Sequence, residues 1–191
     1  DGVKYLVDGT PLDRTALLTT PYPHKRDWYG RLNFPLDTVK QILVESLKNE
    51  RQTLLHIVGD STMVLVLCLM EEMASDEEWR KRRIRIEHNS TAQIRPEQMQ
   101  KIESLGLVMM HTPQYGHASR LASWIRMGVR LGVSPDGVTN PFVNIKTMTS
   151  EQRFPSENIT REQAVIAYTL VNAWAEFKEQ YKGSITPGKF A

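Results

Sequence analysis

Thr53-Leu54-Leu55-His56-Ile57-Val58-Gly59-Asp60-Ser61-Thr62 decides how this chain folds. The first six residues form a continuous apolar run of strand length, broken only by His56. Such a run fits a strand buried on both faces, the pattern of parallel sheets. Gly59 to Thr62 then reads as a turn with a helix N-cap, and the apolar stretch that follows predicts a helix to about Ala74. The segment is therefore a strand feeding a helix.

Outward from it, the same unit recurs. Val3-Lys4-Tyr5-Leu6-Val7 is rich in β-branched and aromatic residues and predicts a strand. Ile84 to His88, Leu107 to His111 and Val129 to Val133 predict three more. Between them, Pro35 to Asn49 spaces Leu36, Val39, Ile42, Leu43 and Leu47 as one face of a helix. Pro96 suits the first position of a helix that Gly106 ends, a further helix spans about 119–127, and Thr160-x-x-Gln163 is a capping box opening a last helix to about Tyr181. Five β-then-α units argue for a parallel sheet with helical crossovers, either doubly wound or part of a closed barrel. No Gly-x-Gly-x-x-Gly or Walker sequence follows a strand, which weakens the nucleotide-binding forms. A complete barrel needs eight units and about 250 residues. The expected fold is thus α/β, part of a (β/α)8 TIM-type barrel with about five strands.

Composition narrows the function. The 191 residues include 24 Lys and Arg against 22 Asp and Glu, a net charge of +2, which argues against a nucleic-acid ligand. No apolar stretch approaches the ~18 residues of a membrane span, and Asp1-Gly2-Val3-Lys4 is no signal peptide. The expected partner is a small-molecule substrate, without nucleic acid or membrane, in a cytoplasmic setting; exposed strand edges leave a homo-oligomer open. Cys68, the single cysteine, lies in the run Met63 to Met70 and reads as a core thiol. Met109 and Met110 read as core fillers, Trp174 and Phe177 as inward-packing, and His24 and His117 as solvated. Arg80-Lys81-Arg82-Arg83 reads as a solvated junction between helix and strand.

Polar groups that end buried strands are the candidates for chemistry, because sites in such sheets lie at the strands' carboxyl ends. Those ends carry His56, His88, His111 and, after the fifth strand, Asp136, with Lys4 inside the first. Imidazole and carboxylate donors gathered there suit zinc or a similar divalent ion. Each histidine taken alone is equally a hydrogen-bonded core residue. Tyr115 and Trp124 are candidates for lining a substrate pocket.

Six segments in order also resemble family-3 amidohydrolases, the branch of the metal-dependent amidohydrolase superfamily that includes N-substituted formamide deformylases. They are Lys4 to Thr10 (the family's Lys-x-x-x-Asp-Gly), His56-Ile57-Val58-Gly59-Asp60, Arg85-Ile86-Glu87-His88, Gly132 to Gly137, Ile159 to Ala164 and Gly183 to Lys189. The resemblance implies that this is the carboxyl-terminal half of a longer protein, with strands four to eight. Residues 1–182 would be barrel, and 183–191 would begin the return to an outer β-sandwich domain. It implies that Lys4, as a carboxylated lysine, His56, His88 and Asp136 ligate one or two divalent ions, with zinc expected. Asp136 would also handle the proton of an attacking water. The implied activity is hydrolysis of C–N bonds, amide-like or formamide-like. The family's paired histidines are absent, since His-x-His occurs nowhere in the chain. The competing expectation is a non-catalytic homologue serving as a binding or structural piece.

Overall fold

The computed structural model describes residues 2–88, 94–116 and 118–190. Its centre is a five-stranded, wholly parallel sheet. The strands are β1 (Gly2–Leu6), β2 (Gln52–Ile57), β3 (Arg85–His88), β4 (Val108–His111) and β5 (Arg130–Val133). They pair in the order in which they occur, β1-β2-β3-β4-β5. A doubly wound sheet reverses strand order part-way, and this one does not. Sequential order is what an arc of a (β/α)8 barrel requires.

Helices fill the crossovers, α1 (Leu36–Lys48), α2 (Asp60–Met73), α3 (Asp76–Arg82), α4 (Pro96–Ser104) and α5 (Leu121–Arg126), and α6 (Pro141–Ser150) follows β5. Pro96 and Gly106 stand where the sequence placed them, Pro96 opening α4 and Gly106 in the left-handed region at φ 66° just past its end. The sequence did not foretell α3 or α6. Both are set by their caps: Ser75 and Glu78 form a reciprocal box at α3, and Asn140 accepts from Phe142 N ahead of Pro141 at α6. The core lies between sheet and helices. Leu55, Ile57, Ile86, Met109 and Leu131 from the sheet meet Leu43, Met70, Trp79 and Trp124 from the helices, all nearly inaccessible.

Two expectations about side chains are corrected. Cys68 is exposed. In α2 Met63, Val66, Leu67 and Met70 take the buried face, and the turn of the helix carries Cys68 away from them. Phe177 is 45% exposed, its ring a platform for Arg83, whose guanidinium lies 4.4 Å from the ring centre. Trp174 does pack inward, against Val108, Met110 and Ala175, while its other surface takes the same guanidinium at 4.0 Å. Arg83 also grips Glu179 at 2.8 Å, so the basic run is partly a structural lock. Met109 and Met110 are buried and His24 is exposed, as read; His117 lies outside the described residues.

The last helix is not continuous to Tyr181. It runs as α7 (Arg161–Ile166), a π-helical turn over Ala167–Val171, and α8 (Asn172–Ala175). A π turn rephases the residues after it. Here Asn172 is brought to the outer edge of β5, where its side chain accepts from Val133 N at 3.0 Å and donates to Val133 O at 2.9 Å. The amide thus makes the two hydrogen bonds that another strand would make at that point.

Above β1, the loop from Gly9 to Asn33 is held by a buried carboxylate. Asp8 accepts from Val58 N (3.0 Å), Gly59 N (2.8 Å), Thr62 Oγ1 (2.8 Å) and Leu17 N (3.3 Å). Gly59 is required there, because a Cβ would stand 2.0 Å from Leu17 O. Burial pushes the Asp8 carboxyl above its ordinary pKa, and the four hydrogen bonds pull against that shift. Asp8→Ala would orphan two buried backbone N–H groups, the buried Thr62 hydroxyl and the half-buried Leu17 N–H. It should lower unfolding free energy by about 3 kcal/mol or more in urea denaturation; a loss below about 1 kcal/mol would show that the carboxylate is dispensable.

Candidate active site

Parallel strands put all their carboxyl ends on one rim, and register decides which side chains meet there. Leu6, His56, Glu87, Met110 and Gly132 form one row across the sheet. Lys4, Leu54, Arg85, Val108 and Arg130 form the row two residues below. Strand alternation would send His88, next after Glu87, to the opposite face. His88 instead has φ 76°, the left-handed region that a histidine rarely occupies. That break in the pleat turns its ring back toward His56 and Lys4. The two rings lie 4.6 Å apart between centres, tilted by 57°. Lys4 Nζ is 3.3 Å from His88 Nε2.

On its other side, His88 Nδ1 is 3.0 Å from Thr112 Oγ1 and 3.8 Å from Asp136 Oδ2. Asp136 itself has φ 43°, and Gln114 Nε2 donates to its carbonyl at 2.7 Å. His56 Nε2 is 3.3 Å from Gly9 O. His56, His88 and Asp136 line a cavity of about 390 Å³, walled by Leu12, Val58 and Tyr115. The lip is a tight turn: Thr10 Oγ1 donates to Asp13 Oδ2 at 3.0 Å and accepts from Asp13 N at 3.2 Å.

Of the residues singled out by sequence, Lys4, His56, His88 and Asp136 are brought to this one place. Lys4 is exposed rather than buried. His111 is elsewhere. It is fully buried, and a Cβ at Gly116 would stand 2.2 Å from its ring. Tyr115 lines the cavity, whereas Trp124 belongs to the core. Sequence reading missed Thr112 and Asp8. The usable signal was a polar residue directly after an apolar strand run, His111 to Thr112 and Val7 to Asp8.

Electrostatics favour a neutral imidazole at His88. Burial first, then the neighbouring His56 and the Lys4 ammonium, lower its pKa from 6.5 to about 4, with Asp136 opposing. Beneath it Arg85 pairs with the buried Glu87 at 2.8 Å, so that cation is already neutralised. A neutral imidazole is the form that binds a divalent ion. Among the described residues, no three His, Cys, Asp or Glu stand together in ligating geometry. His56 and His88 are the two imidazoles that stand together at this rim, with ring centres 4.6 Å apart.

Residues 1–191 match the sequence profile of the amidohydrolase family from end to end. The chain belongs to that family. Across its whole length it superposes on a metal-dependent hydrolase of Pyrococcus furiosus with a TM-score of 0.82 and 25% identity. A second such hydrolase, from Pyrococcus horikoshii OT3, gives 0.82 and 20%. The chain covers 42% and 43% of those two proteins. The protein LONG AFTER FAR-RED 3 of Arabidopsis thaliana is 25% identical over 218 residues, matching all of this chain and 37% of its own length. The amidohydrolase chain thus spans well under half of the relatives it matches, and its five strands are an arc of their barrel.

The His88 shift has a consequence for stability. Between pH 6.5 and about 4 the unfolded chain takes up a proton that the folded chain refuses. Stability should be complete above pH 6.5 and fall by up to about 3 kcal/mol on acidification to pH 4. Denaturation of wild type and His88→Gln, near pH 7 and near pH 4, checks this. The variant should lack that part of the acid loss; an identical loss in both would contradict the shift.

Proposed function

We propose that this amidohydrolase chain carries part of the site of a metal-dependent hydrolase that cleaves C–N bonds of amide-like or formamide-like substrates. The observation that supports it is the meeting of His56 and His88 at the rim, with Lys4 and Asp136 on either side. His56 and His88 would hold a divalent ion, with zinc favoured by imidazole donors. The ion supplies a lowered pKa for a water and polarisation of the scissile carbonyl.

The chain's own groups do the rest. Asp136, 58% exposed at the mouth, would accept a proton from the attacking water and return it to the departing nitrogen. Lys4 as an ammonium opposes a cation beside His88; as a carbamate it becomes an anion and a ligand. Leu12, Val58 and Tyr115 would give the cavity an apolar wall for the acyl side of a substrate. Beyond that carbamate, the ligands that His56 and His88 lack would come from residues outside these 191.

The absence of a third ligating group among the described residues favours one other reading, a binding or structural relative without catalysis. Metal content and turnover on a panel of N-formyl and N-acyl amines separate the two, measured for the 191-residue chain and for the longest protein that contains it. The longer protein should bind a divalent ion and turn over the panel, and the chain alone should be nearly inactive. His88→Gln in the longer protein should cost at least about a hundredfold in kcat/KM. A longer protein that binds no metal would refute the hydrolase; high turnover by the chain alone would refute the shared site.

A further inference from the structure

His88 presents two ring nitrogens, and the residues around it decide which one carries the hydrogen. On the Nε2 side stands Lys4 Nζ at 3.3 Å. An ammonium has three donors and no acceptor lone pair, so the nitrogen facing it must accept. In a neutral imidazole the hydrogen is then on Nδ1. Two oxygens compete for it: Thr112 Oγ1 at 3.0 Å and Asp136 Oδ2 at 3.8 Å. Only the first is within hydrogen-bond distance. Thr112 is fully buried, directly after β4, whose His111 pairs in register with His88. Its hydroxyl is therefore fixed by the sheet, whereas Asp136 sits on an exposed turn.

We propose that Thr112 is a positioning residue: it accepts the His88 Nδ1–H, holds the ring with Nε2 turned into the site, and leaves the Asp136 carboxylate uncommitted. This deepens the hydrolase reading, since it concerns the same imidazole. It assigns the two residues beside Nδ1 separate tasks. A carboxylate bonded to His88 would be a poorer proton acceptor, because that hydrogen bond stabilises its charge. With the threonine taking the hydrogen, Asp136 stays free for the water. A partner on the second nitrogen also sets tautomer and ring orientation, the usual support of a ligating histidine.

The test is nitrogen and proton NMR of the His88 ring in the full 191-residue chain, without added metal or substrate, so it stands or falls separately from hydrolysis. In wild type Nδ1 should carry a hydrogen that is protected from exchange. Thr112→Ser keeps the hydroxyl and should keep that signal. Thr112→Val is nearly isosteric and should make the Nδ1 hydrogen exchange roughly fivefold faster or more, the effect of losing one hydrogen bond. Asp136→Asn should leave it unchanged. A hydrogen found on Nε2 would overturn the proposal. So would exchange accelerated by Asp136→Asn and not by Thr112→Val. If Thr112→Val does not fold, judged by its amide spectrum, the other two variants decide: protection kept in both supports the assignment, and loss in either refutes it.

Discussion

Asp8 sits where β1 ends, and its two oxygens are shared among groups that arrive from distant parts of the chain. Val58 and Gly59 come from the end of β2, Thr62 from the first turn of α2, and Leu17 from the long loop above β1. A buried carboxylate is costly unless its hydrogen bonds are made, and here four donors converge on it. The same contact closes the strand-to-helix turn after His56 and seats the loop that forms the cavity lip. Asn33 reinforces it by donating to Leu6 O and Asp8 O at 3.1 and 2.9 Å. Lys4 and His56 thus share one frame, because the strands that carry them are tied at this joint.

The rest of the site depends on a departure from regular strand geometry. Register alone places His56 beside Glu87, and pleat alternation would turn His88 away from both. The left-handed backbone at His88 reverses that direction, and Thr112 meets the turned ring from the neighbouring strand end. A non-glycine residue in this region costs of order 1 kcal/mol or more. Such strain persists where neighbouring contacts hold it, here Lys4 and Thr112 on the two ring nitrogens. The Arg85–Glu87 pair below it neutralises two charges within the sheet's inner face.

Much of this was legible in the sequence. The five strands stand out because each is a short apolar run set between helix-length segments, and their carboxyl ends name His56 and His88 directly. Less was legible where tertiary contacts overrule local pattern. The run Met63 to Met70 gave no hint that Cys68 faces solvent, since the run is apolar on every side of the helix. Phe177 looked like core but serves an arginine. The π turn at Ala167–Val171 depends on where Asn172 finds the β5 edge, which no helical periodicity encodes. Thr112 was marked only as a polar residue ending an apolar strand run, since nothing in the sequence says which neighbour a histidine's second nitrogen will meet. His111 matches the other strand-end histidines in sequence, yet the fold buries it against Gly116.

On the proposed function, His56 and His88 of this amidohydrolase chain would be two ligands of one metal ion. The most direct measurement is an anomalous-scattering map from crystals of the longest protein containing the chain, grown with zinc. The account predicts a peak bonded to an imidazole nitrogen of each residue at about 2.0–2.1 Å. A peak bonded to neither, or one that persists undiminished when both are replaced by glutamine, would contradict it.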